Sequence, residues 1–367
     1  MEKLIYVIIA GAIITSCSSE PRYVISGKIE GADSVTFLLQ KREAGSIVTI
    51  DSAFSRDGSF KMKGGSVTYP EMVMLSTSDS RMRTTFYLEN SKISITGKLD
   101  SLFAAKVTGS KTQDEYQGFV DSNKELTDQY SVLINDYQTA RQSGDSVRIS
   151  EIEKQAENIQ DQMTELKKSF IRNNPASFAS PSLLTSLSYQ IEADEIESFI
   201  NVLDTAVQNT SLITDLKTRV EAMKKVAVGQ KAPDFSMNDP DGNAITLYSK
   251  LGPKALLLDF WAAWCGPCRL ENPNVVKAYK QFAKKGFDVF GVSLDQSRDA
   301  WLKAIEDDKL TWTHVSDLQR WDNAAARMYA VSSIPASFLL DENGIIVAKN
   351  LRGEDLLAKV KEMVEKQ

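Results

Sequence analysis

The run Trp261-Ala262-Ala263-Trp264-Cys265-Gly266-Pro267-Cys268 constrains this 367-residue chain more than any other stretch. It follows the apolar segment Ala255-Leu256-Leu257-Leu258-Asp259-Phe260, which reads as a buried strand. Cysteines at i and i+3, after a strand and at the opening of a helix, lie on one helical turn. Their sulfurs can close a small disulfide. The chain holds one further cysteine, Cys17, and one histidine, His314. A structural zinc site wants about four Cys/His ligands, and no second Cys pair exists to complete one. No metal and no cofactor are expected.

Cys265 would sit where free backbone N–H groups and the helix dipole favour negative charge. An ordinary thiol is about 3% ionised at pH 7, and one whose pKa falls to about 7 is half ionised. Cys265 is therefore read as the attacking sulfur and Cys268 as the resolving one. Asp259 interrupts an apolar strand, where an unpaired charge is costly. A raised pKa and a role in moving the proton of Cys268 are expected of it. Trp261 reads as a core aromatic. His314, in Leu310-Thr311-Trp312-Thr313-His314-Val315, reads as a strand residue that is packed or on the surface, not as a catalytic base.

The segment LLLDFWAAWCGPCRLENPNV resembles the active-site region of the thioredoxin superfamily over its whole length. Asp259 matches that family's buried acid, and Trp264 the aromatic before the nucleophile. Val331-Ser332-Ser333-Ile334-Pro335-Ala336-Ser337-Phe338 is similar to the loop whose proline is cis in the superfamily. The resemblance implies a cis Pro335 beside the disulfide and a backbone at Ile334 that pairs with a substrate strand. The lead-in Gly229-Gln230-Lys231-Ala232-Pro233-Asp234-Phe235 and the turn Asn238-Asp239-Pro240-Asp241-Gly242-Asn243 resemble the TlpA/ResA branch, and the Asp-Gly pair suggests a hairpin. Glu271 matches an acid that many TlpA-like proteins carry near the disulfide; the alternative is a solvated residue of the first helical turns. The Gly-Pro dipeptide is similar to reducing thioredoxins, not to oxidising DsbA-like proteins. Those poles differ by about 150 mV, or about 7 kcal/mol for two electrons. Peroxidase chemistry is not expected, because Ala262 stands where peroxiredoxins carry Thr or Ser.

The N-terminus reads as an export signal. Lys3 precedes the apolar run Leu4 to Ile14, too short for the ~20 residues of a membrane span. Ile14-Thr15-Ser16-Cys17 resembles a lipoprotein cleavage site, with Cys17 as the lipidated residue. An ordinary signal peptide with an incidental cysteine is the alternative. The net charge of −6 gives no argument for nucleic-acid binding.

Five segments follow: a signal peptide at 1–16, a lipidated tether at 17–22, a β-domain at 23–110, a helical segment at 111–225 and a thioredoxin-like domain at 226–367. The β-domain shows regular short strands with Gly and Asn punctuation, the pattern of a sandwich or barrel. It resembles the uncharacterised β-domain often placed before TlpA-like domains in exported lipoproteins. In the helical segment, Leu126, Tyr130, Leu133 and Tyr137 recur at helical spacing. Ile149, Ile152, Ala156, Ile159, Met163, Leu166 and Phe170 make a stricter heptad seam. Ser143-Gly144-Asp145 separates them, so an antiparallel hairpin is expected. Its seam serves internal packing, with dimerisation or a substrate shelf as the alternative. Val226 to Gly229 reads as a linker.

The whole implies a multidomain thiol:disulfide oxidoreductase, lipid-anchored in a bacterial envelope with its redox domain facing the periplasm. The inner and outer membranes are both open. It would reduce protein disulfides, with cytochrome c maturation among the tasks of its relatives, and draw electrons from a membrane thiol carrier. The rival readings are a disulfide oxidase or isomerase, or a binding lipoprotein with a vestigial redox domain.

Overall fold

The computed structural model describes residues 22–43, 46–252 and 254–365. The expected signal peptide, Cys17 and, apart from Arg22, the expected tether lie outside the described residues. Among the described residues no helix is long and apolar enough to cross a membrane. The chain divides into two compact units at Leu183/Leu184.

The first unit opens with strands β1 (Val24–Glu30), β2 (Thr36–Glu43), β3 (Ser46–Phe54), β4 (Ser59–Lys63), β5 (Glu71–Thr77), β6 (Arg83–Leu88), β7 (Lys92–Lys98) and β8 (Lys106–Thr108). They form two four-stranded sheets, ordered β4-β1-β7-β8 and β3-β2-β5-β6. Alternation builds the core: Ile25 and Ile29 of β1 face in, while Ser26 and Lys28 face out. Phe37 of one sheet stacks on Phe60 of the other at 4.6 Å. The β-domain is thus a sandwich. Gly27 lies opposite Phe60 in the β1–β4 ladder, and a Cβ there would come within 2.0 Å of that ring. The ring lies over the space that only glycine leaves empty.

Two long helices follow, α1 (Lys111–Ser143) and α2 (Ser146–Asn173). Ser110 caps α1 by accepting from Gln113 N, and Asp145 caps α2 by accepting from Arg148 N. Gly144 ends α1 in the left-handed region, at φ 72°. The hairpin is antiparallel: Arg148 meets Asp136, Gln160 meets Tyr130, and Phe170 meets Phe119. Leu126, Tyr130, Leu133 and Tyr137 pack against Ile149, Ile152, Ala156, Ile159 and Met163. The hairpin is tied to β6, whose Tyr87 N donates to Gln113 Oε1 at 3.0 Å.

Helix α3 (Ser180–Leu187) spans the division between the units. The second unit continues with α4 (Ala193–Val202), α5 (Thr205–Gln208) and α6 (Ser211–Lys225). The helices between 111 and 225 are therefore shared: α1 and α2 belong to the sandwich unit, and α4 to α6 to the unit of the CxxC segment. The stretch expected as a linker is packed. Val226 is buried, and Gly229 N donates to Ile346 O at 2.7 Å.

The core of the second unit comprises β9 (Ser236–Asn238), β10 (Ala244–Thr246), β11 (Ala255–Trp261), α7 (Gly266–Phe282), β12 (Phe287–Ser293), α8 (Arg298–Asp308), β13 (Thr313–Val315), α9 (Ala324–Met328), β14 (Ala336–Asp341), β15 (Ile346–Lys349) and α10 (Gly353–Glu365). The main sheet is ordered β13-β12-β11-β14-β15. Strands β11 to β13 run parallel, and β14 and β15 complete the sheet antiparallel. Every residue of β11 is buried, as its near-continuous apolar run requires of a central strand. β9 and β10 form the expected hairpin, whose turn is held by Asp239 Oδ1 accepting from Asp241 N and Asn243 N. This is a thioredoxin-like α/β fold.

Candidate active site

β11 delivers the chain to a tight turn that leads directly into α7. Asp295 holds this turn: its carboxylate accepts from Ala263 N at 2.9 Å and from Ser293 Oγ at 2.8 Å. Arg269, one turn into α7, closes the other side. It reaches Ala263 O at 3.4 Å and pairs with Asp308 through Nη2 at 2.7 Å and through Nε. Asn272 donates to the same carboxylate at 2.6 Å. The start of α7 is thus clamped before any ligand arrives.

Cys265 is the N-cap of α7, and it forms a disulfide with Cys268. Pro267 occupies a first-turn position, where its missing N–H costs no helical hydrogen bond. Cys268 N donates to Cys265 Sγ at 3.1 Å. A thiolate formed at Cys265 keeps this donor and the helix dipole. Cys265 is 4% exposed and Cys268 1%, so Cys265 is the more accessible of the two. The Ile334–Pro335 peptide bond is cis, and Cys265 Sγ lies 3.6 Å from Ile334 O.

Asp259 lies deeper, on β11 opposite Ser337 of β14. Burial is the main cause that pushes its carboxyl pKa up to about 7; Glu271 pushes the same way, and the Arg352 guanidinium opposes both. A carboxyl poised there can take or give a proton near neutral pH. Glu271 is not a solvated first-turn residue. Its Oε1 accepts from Gly353 N at 2.9 Å, the first residue of α10, and its Oε2 from Asn274 Nδ2 at 2.9 Å. Trp264 is 46% exposed beside the disulfide, in edge contact with Trp321 at 6.0 Å and under Arg320 at 5.4 Å. Trp261 is in the core.

Cys265, Cys268 and Ile334 meet at the start of α7, with Pro335 next in the chain and the exposed Trp264 just before Cys265; Asp259 lies within the sheet, where Glu271 bears on its charge. Sequence reasoning missed Arg352, which donates to Ser337 Oγ at 2.8 Å and bears on Asp259. It also missed Asp295 and Asp308. These residues are far from the motif in sequence, and no local pattern marks them. His314 is buried between Trp261 and Trp312, with ring centroids at 5.5 and 5.7 Å. Burial lowers its pKa to about 3, so it stays neutral.

A disulfide at a helix N-terminus, on a thioredoxin-like sheet and beside a cis-proline, defines a dithiol/disulfide exchange protein. Residues 228–349 match the AhpC/TSA family, and residues 23–116 match a domain of unknown function, DUF4369. The thiol-disulfide oxidoreductase ResA of Bacillus subtilis (strain 168) is 31% identical over 124 residues, 34% of this chain and 67% of the relative. ResA of Bacillus thuringiensis subsp. konkukian is 27% identical over 143 residues, 39% of this chain and 80% of the relative. The thioredoxin domain of a Bacteroides vulgatus thiol-disulfide oxidoreductase is 39% identical, covering 38% of this chain and 99% of that one, with a TM-score of 0.36. The chain belongs to the ResA-type thiol-disulfide oxidoreductases.

Proposed function

We propose that this oxidoreductase works as a reductant of protein disulfides at a bacterial envelope. The Cys265 thiolate attacks a substrate disulfide. A mixed disulfide forms, and the first substrate thiolate leaves. Cys268 then gives its proton to Asp259 and attacks Cys265 Sγ. The second substrate thiolate leaves, protons return to both substrate sulfurs, and the Cys265–Cys268 disulfide remains. Two electrons have passed from the dithiol to the substrate. The observation that carries this reading is the Cys265–Cys268 disulfide capping α7 with Cys265 Sγ at 3.6 Å from Ile334 O. Insulin reduction by the parent and by Cys265→Ser tests it; equal rates would remove the enzymatic claim. The Gly266-Pro267 dipeptide supports the reducing direction. A measured potential near that of DsbA would favour the oxidase or isomerase reading instead.

The sequence around Cys17 supports a lipid anchor and a periplasmic setting. Each buried CH₂ contributes about 0.8 kcal/mol, and stable anchoring takes two or more acyl chains. An exported reductant needs recharging by a membrane thiol carrier, and reductions in cytochrome c maturation fit such a protein. Fatty-acid labelling with and without Cys17→Ala tests the anchor; unchanged labelling would sink it. Cys268→Ser, which strands the mixed disulfide, would identify the substrates by mass spectrometry.

A further inference from the structure

The loop Ser332-Ser333-Ile334-Pro335 joins the end of the α9 region to β14, and its Ile334 O lies 3.6 Å from Cys265 Sγ, the sulfur a substrate disulfide must meet. The chain is tied on either side: Val331 N donates to Ala326 O at 2.8 Å, and Ser337 exchanges hydrogen bonds with Asn350. Beside the β11–β14 ladder, two side chains of other elements make polar contacts with this stretch, among the described residues. One is the approach of Cys265 Sγ to Ile334 O. That tie involves a reacting atom and changes its chemistry at each turnover. The other comes from outside the matched family region, which begins at residue 228. Arg219 of α6 donates from Nη2 to Ser332 Oγ at 2.9 Å.

Arg219 is itself held in place. Its guanidinium lies 4.3 Å from the centroid of the Tyr189 ring, and Nη2 also reaches Ser188 O at 3.4 Å. Ring and carbonyl together fix the plane of the fork, so little freedom is lost in holding Ser332. α6 is anchored by its buried face of Ile213, Leu216 and Val220. The same helical segment also meets the sheet through Glu192 and Lys349, 3.7 Å apart.

We infer that Arg219 is a positioning residue for disulfide exchange: it fixes the loop before Pro335 in the conformation that receives a substrate polypeptide. This rests on the reading of the protein as a reductant of protein disulfides. Arg219 touches neither sulfur, so its effect falls on docking and not on the thiolate. A small aromatic disulfide, which needs no extended backbone partner, reports on the thiolate alone.

The test follows single turnovers of the full-length chain, reduced beforehand and mixed with excess insulin as the protein disulfide or 5,5′-dithiobis(2-nitrobenzoate) as the small one; KM and kcat here are the half-saturating concentration and the limiting rate of that turnover. Arg219→Ala is expected to raise KM for insulin about three- to tenfold, the loss of one charge-assisted hydrogen bond at a partly exposed site. kcat, the rate with the small disulfide and the potential of the Cys265–Cys268 couple should stay at parent values. Ser332→Ala should match it, the double variant should add nothing further, and Ser332→Thr, which keeps the hydroxyl, should restore parent KM. A merely structural role would move both substrates together. The inference is overturned if insulin KM stays within about twofold of the parent in both single variants, or if the small-disulfide rate falls in step. Should Arg219→Ala not fold, Ser332→Ala alone decides between these outcomes. A parent that reduces the small disulfide but not insulin would instead overturn the underlying reading.

Discussion

Two buried ionisable side chains belong to the same five-stranded sheet, Asp259 on its central strand and His314 on its edge strand β13. Burial disfavours the charged form of each, lifting the Asp259 carboxyl to about 7 and lowering the His314 imidazole to about 3. Their surroundings separate them. Asp259 has Arg352 and Glu271 close enough to act on its charge, and its strand leads into the turn that carries Cys265. His314 has indole rings on two sides and the backbone of Gly291 against it; a Cβ at Gly291 would come within 2.5 Å of Nδ1. Burial shifts a pKa in both places, but only at Asp259 do charged side chains act on it as well.

The largest expected effect is at the sulfur of Cys265. Cys265→Ser should abolish insulin reduction, read as turbidity, while the fold, read by circular dichroism, stays intact. Asp259→Asn should slow release of the mixed disulfide by about a hundredfold at pH 7, within the usual range for a lost general base; stopped-flow fluorescence would follow it. If the loss is under about threefold, the comparison fails, because Asp259 would be as inert as His314. His314→Asn should leave the exchange rate within about twofold and cost about 1–3 kcal/mol of stability through imperfect repacking between the indoles. Glu271→Gln keeps an acceptor for Gly353 N and removes a like charge from Asp259. The rate profile should move toward acid by a fraction of a pH unit.

The pH dependence of stability sharpens the contrast further. Asp259 has a raised folded pKa, so the native state binds the extra proton between about pH 4 and about pH 7. Its contribution is complete below pH 4 and is lost as pH rises through 7, at no more than about 1.4 kcal/mol per pH unit. His314 has a depressed folded pKa, so its contribution runs the other way. Stability rises with pH from about 3 to about 6.5. The two slopes oppose each other where the windows overlap. Thermal melts from pH 4 to 6.5 should therefore rise with pH more steeply in Asp259→Asn than in the parent, and rise less or fall in His314→Asn.

The parts of the molecule that sequence made legible are those with local periodicity or a fixed motif. Short strand-like runs with turn residues between them made the sandwich legible, and three-four spacing showed the hairpin seam, because both patterns are carried by consecutive residues. β8, with Lys106, Val107 and Thr108, is too short to carry a period; it exists through its pairing with β7. The redox pair, Asp259, Glu271 and Pro335 were readable from motif and resemblance. Arg352, Asp295 and Arg219 were not, since each acts across 32 to 113 positions of sequence through a contact that only folding creates. The supposed linker at 226–229 failed for a similar reason: its backbone finds Ile346 far downstream.

The carboxylate of Glu271 grips the first backbone N–H of α10. That helix begins at Gly353, next to the arginine that bears on Asp259 and four residues past the end of the matched family region. A fragment cut to residues 228–349 would therefore lose more than a peripheral helix. It would strip Asp259 of its countercharge and leave an acidic side chain of α7 with an empty oxygen. The smallest piece that keeps these charges together reaches past the matched region to at least Gly353, a boundary set by electrostatics and not by sequence similarity.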